Sequence, residues 1–229
     1  MTRGECTRTS NTVLLAGLLT LALFAQVGDT EPGEPITVDF QVAAVGKLPA
    51  GFSTAVTGGG GPPAWRVVED STAAGSGRVL AQQSADRTPY RFPLCIYDPF
   101  SAKDVEVSVR FKSVSGTVDQ AAGLVTRFKD PDNYYVVRAN ALEDNVRLYK
   151  VERGKRTQLA SSNVKVLPQQ WQSLTLVVKR THFWVSLNDR LLFETEDATF
   201  RSAGKAGLWT KADSVTYFDD FKVQASEAR

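Results

Sequence analysis

From Ile36 onward the chain alternates apolar and polar residues with a period of two, the mark of strands that bury one face. The clearest stretch is 104–114, where Val105, Val107, Val109 and Phe111 alternate with Glu106, Ser108, Arg110 and Lys112. One side of such a strand packs, and the other meets water or ligand. Comparable runs occupy 134–140, 146–151, 174–179, 183–187, 191–195 and 215–223. The gaps carry turn chemistry: Asp130-Pro131-Asp132-Asn133, Arg153-Gly154-Lys155 and Asn188-Asp189-Arg190. No convincing helical period competes with this pattern, and the one helix-like candidate is a turn at 197–202. Short strands at this spacing predict an all-β, antiparallel two-sheet sandwich or a barrel.

The first 35 residues follow different rules. Residues 1–12 are polar and carry Arg3 and Arg8, and 13–25 form an almost unbroken apolar run ending in small residues. That is the layout of a signal peptide, and the run is shorter than the ~20 residues of a spanning helix. The expected organisation is a signal peptide at 1–25, a linker at 26–35 rich in Gly, Pro and acid, and one domain at 36–226. An uncleaved anchor is the alternative. The pattern predicts a secreted or periplasmic protein with no membrane span after cleavage, since no later apolar segment is long enough.

Bulk chemistry narrows the partners. The 229 residues suit one large β domain, and the 42% hydrophobic and 23% charged content is ordinary for a globular protein. Net charge is +2, or about +1 without the leader's Arg3, Arg8 and Glu5. This gives no field to hold a polyanion, so nucleic acid is excluded as a partner. Cys6 lies in the leader, which leaves Cys95 within an apolar run and no intramolecular disulfide. Cys95 reads as a small buried hydrophobe. Gly58-Gly59-Gly60-Gly61-Pro62-Pro63 precedes no helix and no Gly-Lys-Ser/Thr, so it reads as a flexible rim loop and not as a phosphate cradle.

Strand parity then singles out one face. Tyr134, Arg138 and Asn140 share a side of their strand, as do Arg147 and Tyr149, and as do Trp209 and Lys211. If these strands are neighbours, they form a concave patch of aromatics, guanidiniums and amides. Sugars are bound by such surfaces, through stacking on C–H faces and planar hydrogen bonding to hydroxyls. The alternative is a solvated outer face in which Arg138 and Arg147 pair with Glu143 and Asp144. The loop 140–147, with Asn140 and Asp144, either lines the mouth of the patch or is a hairpin with Asx-turns. Glu194 and Glu196 point the same way and are the weak candidates for a catalytic carboxylate pair. His182, the one histidine, falls at a hairpin turn and cannot build a typical zinc site or triad with a single remaining cysteine.

Three segments carry a family resemblance. They are Gly123-Leu-Val-Thr-Arg-Phe-Lys-Asp-Pro-Asp-Asn-Tyr-Tyr-Val-Val-Arg138; Trp171-Gln-Ser-Leu-Thr-Leu-Val-Val-Lys179 with Phe183-Trp-Val-Ser-Leu-Asn-Asp189; and Gly204-Lys-Ala-Gly-Leu-Trp-Thr-Lys211 with Tyr217-Phe-Asp-Asp-Phe-Lys-Val223. The chain resembles the concanavalin A-like lectin/glucanase superfamily in its laminin-G-like branch. It is similar to the 3-keto-disaccharide hydrolase-like domains of secreted bacterial proteins. The resemblance implies a jelly-roll sandwich with Trp171 and Phe221 in the core and close backbone approach at Gly204 and Gly207. It also implies that first and last strands lie together, placing Asp39 near Asp219 and Asp220; these are the candidate ligands of a calcium ion, since many relatives carry a structural ion, and the alternative is that they accept backbone or hydroxyl hydrogen bonds with no metal. The β-glucanase pattern Glu-x-Asp-x-x-Glu is absent, because Phe193-Glu-Thr-Glu-Asp197 departs from it in order and spacing. The expected function is an exported module binding a glycan or other extracellular ligand. A sugar-acting hydrolase and a structural or adhesion domain are the alternatives. No cofactor beyond the calcium is expected.

Overall fold

The computed structural model describes residues 1, 2, 4, 34–75 and 77–226. The chain divides into Met1–Thr30 and a compact unit, Glu31–Arg229. Almost all of the expected signal peptide and of the expected linker lies outside the described residues. No helix among the described residues is long and apolar enough to cross a membrane.

Among the described residues, fifteen strands build the compact unit: β1 (Ile36–Val38), β2 (Phe52–Gly58), β3 (Trp65–Glu69), β4 (Arg78–Gln82), β5 (Arg91–Ala102), β6 (Val105–Ser115), β7 (Ala121–Asp130), β8 (Asn133–Asn140), β9 (Asn145–Glu152), β10 (Lys155–Asn163), β11 (Gln172–Lys179), β12 (His182–Leu187), β13 (Arg190–Glu196), β14 (Gly204–Trp209) and β15 (Val215–Ala225). They form two antiparallel sheets. One runs β13-β12-β11-β6-β15-β4-β3, with β1 also paired to β15, and the other runs β10-β9-β8-β7-β14-β5-β2. The expected turns are present. Asn188 and Asp189 both have positive φ, 49° and 62°, as a two-residue hairpin turn matched to strand twist requires. At the β7–β8 turn the Asp130 carboxylate accepts from the Asp132 N–H at 2.8 Å and the Asn133 amide at 2.9 Å.

The alternation on β6 and β11 delivers what it promises. Val107, Val109, Phe111, Leu174, Leu176 and Val178 all point into the space between the sheets and are buried there. Leu124, Val137, Leu148 and Leu208 meet them from the opposite sheet. Phe221 joins this core, stacking edge-on against Phe52 at 5.9 Å. Cys95 is a free, buried thiol, and burial pushes its pKa up. A Cβ at Gly207 would lie 2.4 Å from the Cys95 carbonyl, so the close approach expected there is real.

Three expectations need correction. Trp171 is not in the core. It lies on the outer face with the Arg110 guanidinium 5.3 Å and the Lys112 ammonium 5.3 Å from its ring centroid, and its indole N–H donates to Thr72 at 3.1 Å. The stretch 197–202 holds no helical turn. Instead the Asp197 carboxylate accepts from the Thr199 N–H at 2.8 Å and turns the chain locally. The glycine-rich loop is tied down, not loose. Gly61 N–H donates to Asp86 at 2.6 Å, and buried Arg91 donates to the Gly61 and Pro62 carbonyls at 3.0 and 2.9 Å. The Gly61 and Thr88 N–H groups hold the Asp86 pKa down at about 2.

Phe221→Ala should cost about 3–5 kcal/mol, because it removes a fully buried ring from packed surroundings. Trp171→Ala should cost less, about 1–2 kcal/mol, since it loses one hydrogen bond and the cation–π contacts to part-exposed Arg110 and buried Lys112. Urea unfolding of both variants checks the contrast; equal losses would contradict these placements.

Candidate functional site

The inner strands of the seven-stranded sheet bury both of their faces. Its second face carries Phe92, Leu94, Ile96, Ala121, Val125, Tyr134, Val136, Tyr149, Val151 and Trp209, a cluster separate from the inter-sheet core. Cross-strand register lines up one row of this face: Arg147 on β9 opposite Arg138 on β8, then Gly123 on β7, Trp209 on β14, Leu94 on β5 and Ala55 on β2. A Cβ at residue 123 would meet the Val137 carbonyl at 2.8 Å and the Trp209 ring at 3.2 Å. Glycine there lets the indole lie against β7.

This face is concave, and two contacts show by how much. In a flat sheet β2 and β8, four positions apart, would be separated by roughly 19 Å. Yet the Thr57 hydroxyl on β2 touches the Tyr134 hydroxyl on β8 at 2.8 Å. Tyr90, just before β5, donates to the Gly154 carbonyl at 2.8 Å and accepts from the Arg156 N–H at 2.9 Å, five strands away on the β9–β10 hairpin. Only a strongly curled sheet brings these edges together. The curl folds the turns at 131–132 and 153–154 over one end, leaving the other end as the mouth.

The mouth is polar. Arg138 is 1% exposed; its guanidinium donates to Asn145 at 2.9 Å, Glu143 at 2.8 Å and the Tyr149 hydroxyl at 3.3 Å. Arg147 reaches the same Glu143 oxygen at 3.3 Å, with both side chains about one third exposed (32% and 35%). Burial would raise the Glu143 pKa, but the Arg138 charge and hydrogen bond outweigh it and hold the carboxyl low. Asp119 accepts from Asn140 at 2.6 Å and pairs with Lys211. Burial raises the Asp119 pKa against the pull of Lys211. The loop carrying Asp119 is held by Asp213, which accepts from the Thr117, Val118 and Asp119 N–H groups at 2.8–3.1 Å.

Arg156 completes the site. Its guanidinium carbon lies 4.5 Å from the Tyr149 centroid, 4.6 Å from Phe92 and 6.0 Å from Trp209, roofing the aromatic floor. Burial pulls its pKa down. Several buried donors here lack hydrogen-bond partners: Trp209 Nε1, Arg138 Nε, Arg147 Nε and Arg156 Nη1. Trp209 interacts with the Tyr134 hydroxyl and Arg147 with that of Tyr149, without closing hydrogen bonds of normal geometry.

Of the residues singled out by strand parity, Tyr134, Arg138, Arg147, Tyr149 and Trp209 meet on this face, with Lys211 at its mouth. The rings are not an open stacking surface, however; Tyr134 and Trp209 are 0% exposed and Tyr149 5%. Asn140 serves an Asx-turn, accepting from the Leu142 and Glu143 N–H groups at 2.9 and 3.2 Å. Asp144 points away from the face, accepting from Lys165 at 2.8 Å and the Val166 N–H at 3.2 Å. Glu194 and Glu196 are on β13 of the other sheet, exposed, 3.4 and 3.0 Å from the two nitrogens of His182. Phe92, Asp119 and Arg156 were not singled out. β10 carries few apolar residues, so no alternation marks it, and only its place after the Arg153-Gly154 turn hinted at a strand.

The terminal strands do meet, with Val38 opposite Phe221. Asp219 stands at the edge of a bulge in β15 that contains Asp220, where β4 ends as its neighbour and β1 begins. Asp220 pairs with Arg110 at 3.6 Å, and Asp219 accepts from the Asp220 N–H at 2.9 Å. Asp39 accepts from the Gln41 N–H at 3.2 Å. Among the described residues no group of three or more His, Cys, Asp or Glu side chains is placed to hold a metal ion.

A two-sheet antiparallel sandwich whose curled sheet presents a lined concave face is the concanavalin A-like lectin-type architecture. It is compatible with the resemblance to 3-keto-disaccharide hydrolase-like domains. Residues 96–226 match the family model of the galactocerebrosidase C-terminal lectin domain, and the chain belongs to that family. The carbohydrate-binding module CBM66 from Bacillus subtilis superposes with a TM-score of 0.59 at 21% identity, covering 76% of this chain and 96% of that one. Domain 4 of the extracellular arabinanase AbnA from Geobacillus stearothermophilus, solved with arabinotriose, gives 0.55 at 14% identity, covering 84% and 92%. The exoplasmic/lumenal domain of VIP36, in a Ca2+- and mannose-bound form, gives 0.57 at 10% identity, covering 87% and 93%. At these identities the likeness is one of fold. No curated protein matches the chain by sequence.

Asp219 yields a prediction. Burial raises its pKa to about 6 from the ordinary 3.8, with the Asp220 charge adding to the rise. The folded state therefore binds this proton more tightly than the unfolded chain, and stability falls as pH rises through this range. Asp219→Asn should stabilise the protein by roughly 2–3 kcal/mol above pH 7 and by almost nothing near pH 4. Urea midpoints at the two pH values check it; a gain independent of pH would contradict it.

Proposed function

We propose that this protein is an exported carbohydrate-binding module that holds its glycan at the mouth of the concave face. The observation that carries the reading is the convergence of Arg138, Arg147, Arg156, Lys211, Glu143 and Asp119 over an aromatic floor on one curled sheet. Planar guanidiniums and carboxylates suit the paired hydroxyls of a sugar. Membership of a lectin-domain family supports the reading. So do the fold neighbours described above, a carbohydrate-binding module and domains solved with arabinotriose and mannose. The apolar run at 13–25 behind Arg3 and Arg8 supports export.

The test is a glycan array on the full chain, with and without calcium, followed by calorimetry and product analysis on each hit. Arg147→Ala removes a part-exposed mouth residue, and Glu143→Gln keeps an acceptor oxygen for buried Arg138, so folding should persist. Each should weaken binding about 10–100-fold, the value of a charge-assisted hydrogen bond, with the melting temperature little changed. A chain that binds no glycan in either condition would overturn the reading in favour of a structural or adhesion role.

A further inference from the structure

Charge bookkeeping at the mouth points past a neutral sugar. Four cations, Arg138, Arg147, Arg156 and Lys211, face two carboxylates, and both carboxylates are engaged: Glu143 by Arg138, Arg147 and Asn145, and Asp119 by Lys211 and Asn140. Arg156 enters no ion pair and no side-chain hydrogen bond among the described residues. Its charge rests on the faces of Tyr149 and Phe92, and its Nη1 is buried without a partner. Buried polar groups without partners are rare in folded proteins, and here one belongs to a half-buried cation that shares Tyr149 with the part-exposed Arg147.

We propose that the glycan bound by this face is acidic, a sugar carrying a carboxylate or sulfate that pairs with Arg156 and Arg147. The inference rests on the carbohydrate-binding reading above. A guanidinium presents paired donors that match such an anion, whereas a hydroxyl would leave the excess positive charge uncompensated. The rings act as the resting place of Arg156. Drawn toward an incoming anion, it uncovers Tyr149 and Trp209 for the sugar ring that bears the charge. Ligand and side chain thus exchange places on the aromatic floor.

The experiment compares three probes on the full chain at low salt: tri-galacturonate, its neutral methyl ester, and a sulfated galactan oligosaccharide, alongside the neutral glycan array. At least one acidic probe should bind about tenfold or more tighter than the neutral ester, and the margin should shrink as salt rises. Which acid binds identifies the group. Arg156→Gln should abolish the margin, while Arg156→Lys keeps part of it. Arg147→Gln, at a part-exposed position, gives the same reading should Arg156→Gln fail to fold. Neutral glycans binding as tightly as the acids would overturn the proposal and leave the carbohydrate-binding reading intact. Binding of no glycan of any charge would overturn both.

Discussion

The curl of the seven-stranded sheet is the constraint on which the rest depends. The sheet's edges are drawn together by the Thr57–Tyr134 hydroxyl contact and by Tyr90 bridging to the β9–β10 hairpin. Without the curl, the second face would be a flat apolar surface open to water, which soluble proteins seldom tolerate at this size. With it, Trp209, Phe92, Tyr134 and Tyr149 pack on one another inside the bend. Arg156 reaches Phe92 and Trp209 only because β10 is carried round with the edge. The site is thus a product of sheet shape as much as of side chains.

This shape also explains what was legible in the sequence. β6, β11, β12 and β15 have one buried and one wetter face over most of their length, so period two reveals them. β5 opens with six buried residues in a row and β7 with seven. Buried on both faces, they show no alternation and read as plain apolar runs. Polar β10 fails for the opposite reason. Strand parity still placed Arg138, Arg147, Tyr149 and Trp209 together, because parity survives whatever lies between strands. It gave no sign that the rings would be roofed, since the roof comes from Arg156 on a strand with no apolar signal. Nor did it separate Glu143 from Asp144. Adjacent in the loop, they diverge because Asp144 adopts a positive φ of 49° and turns toward Lys165.

Electrostatics divides the acidic residues into two groups. Asp86 and Asp213 are anchored by backbone N–H groups and fix loops. Glu143 and Asp119 are held by side chains that themselves line the mouth, so any ligand competing for those cations changes how the carboxylates are held. The first group is scaffold, and the second is coupled to occupancy. Glu194 and Glu196, on the far sheet with His182, take no part in this coupling.

The burial of Cys95 has a consequence for where the protein can work. Its thiol is enclosed between the sheets and its pKa is raised, so little thiolate exists to attack or be attacked. The described fold contains no other cysteine, and its closure rests on hydroxyl contacts and packed rings in place of sulfur bridges. Such a domain folds to the same structure in reducing and in oxidising surroundings, with no dependence on the machinery that makes or shuffles disulfides.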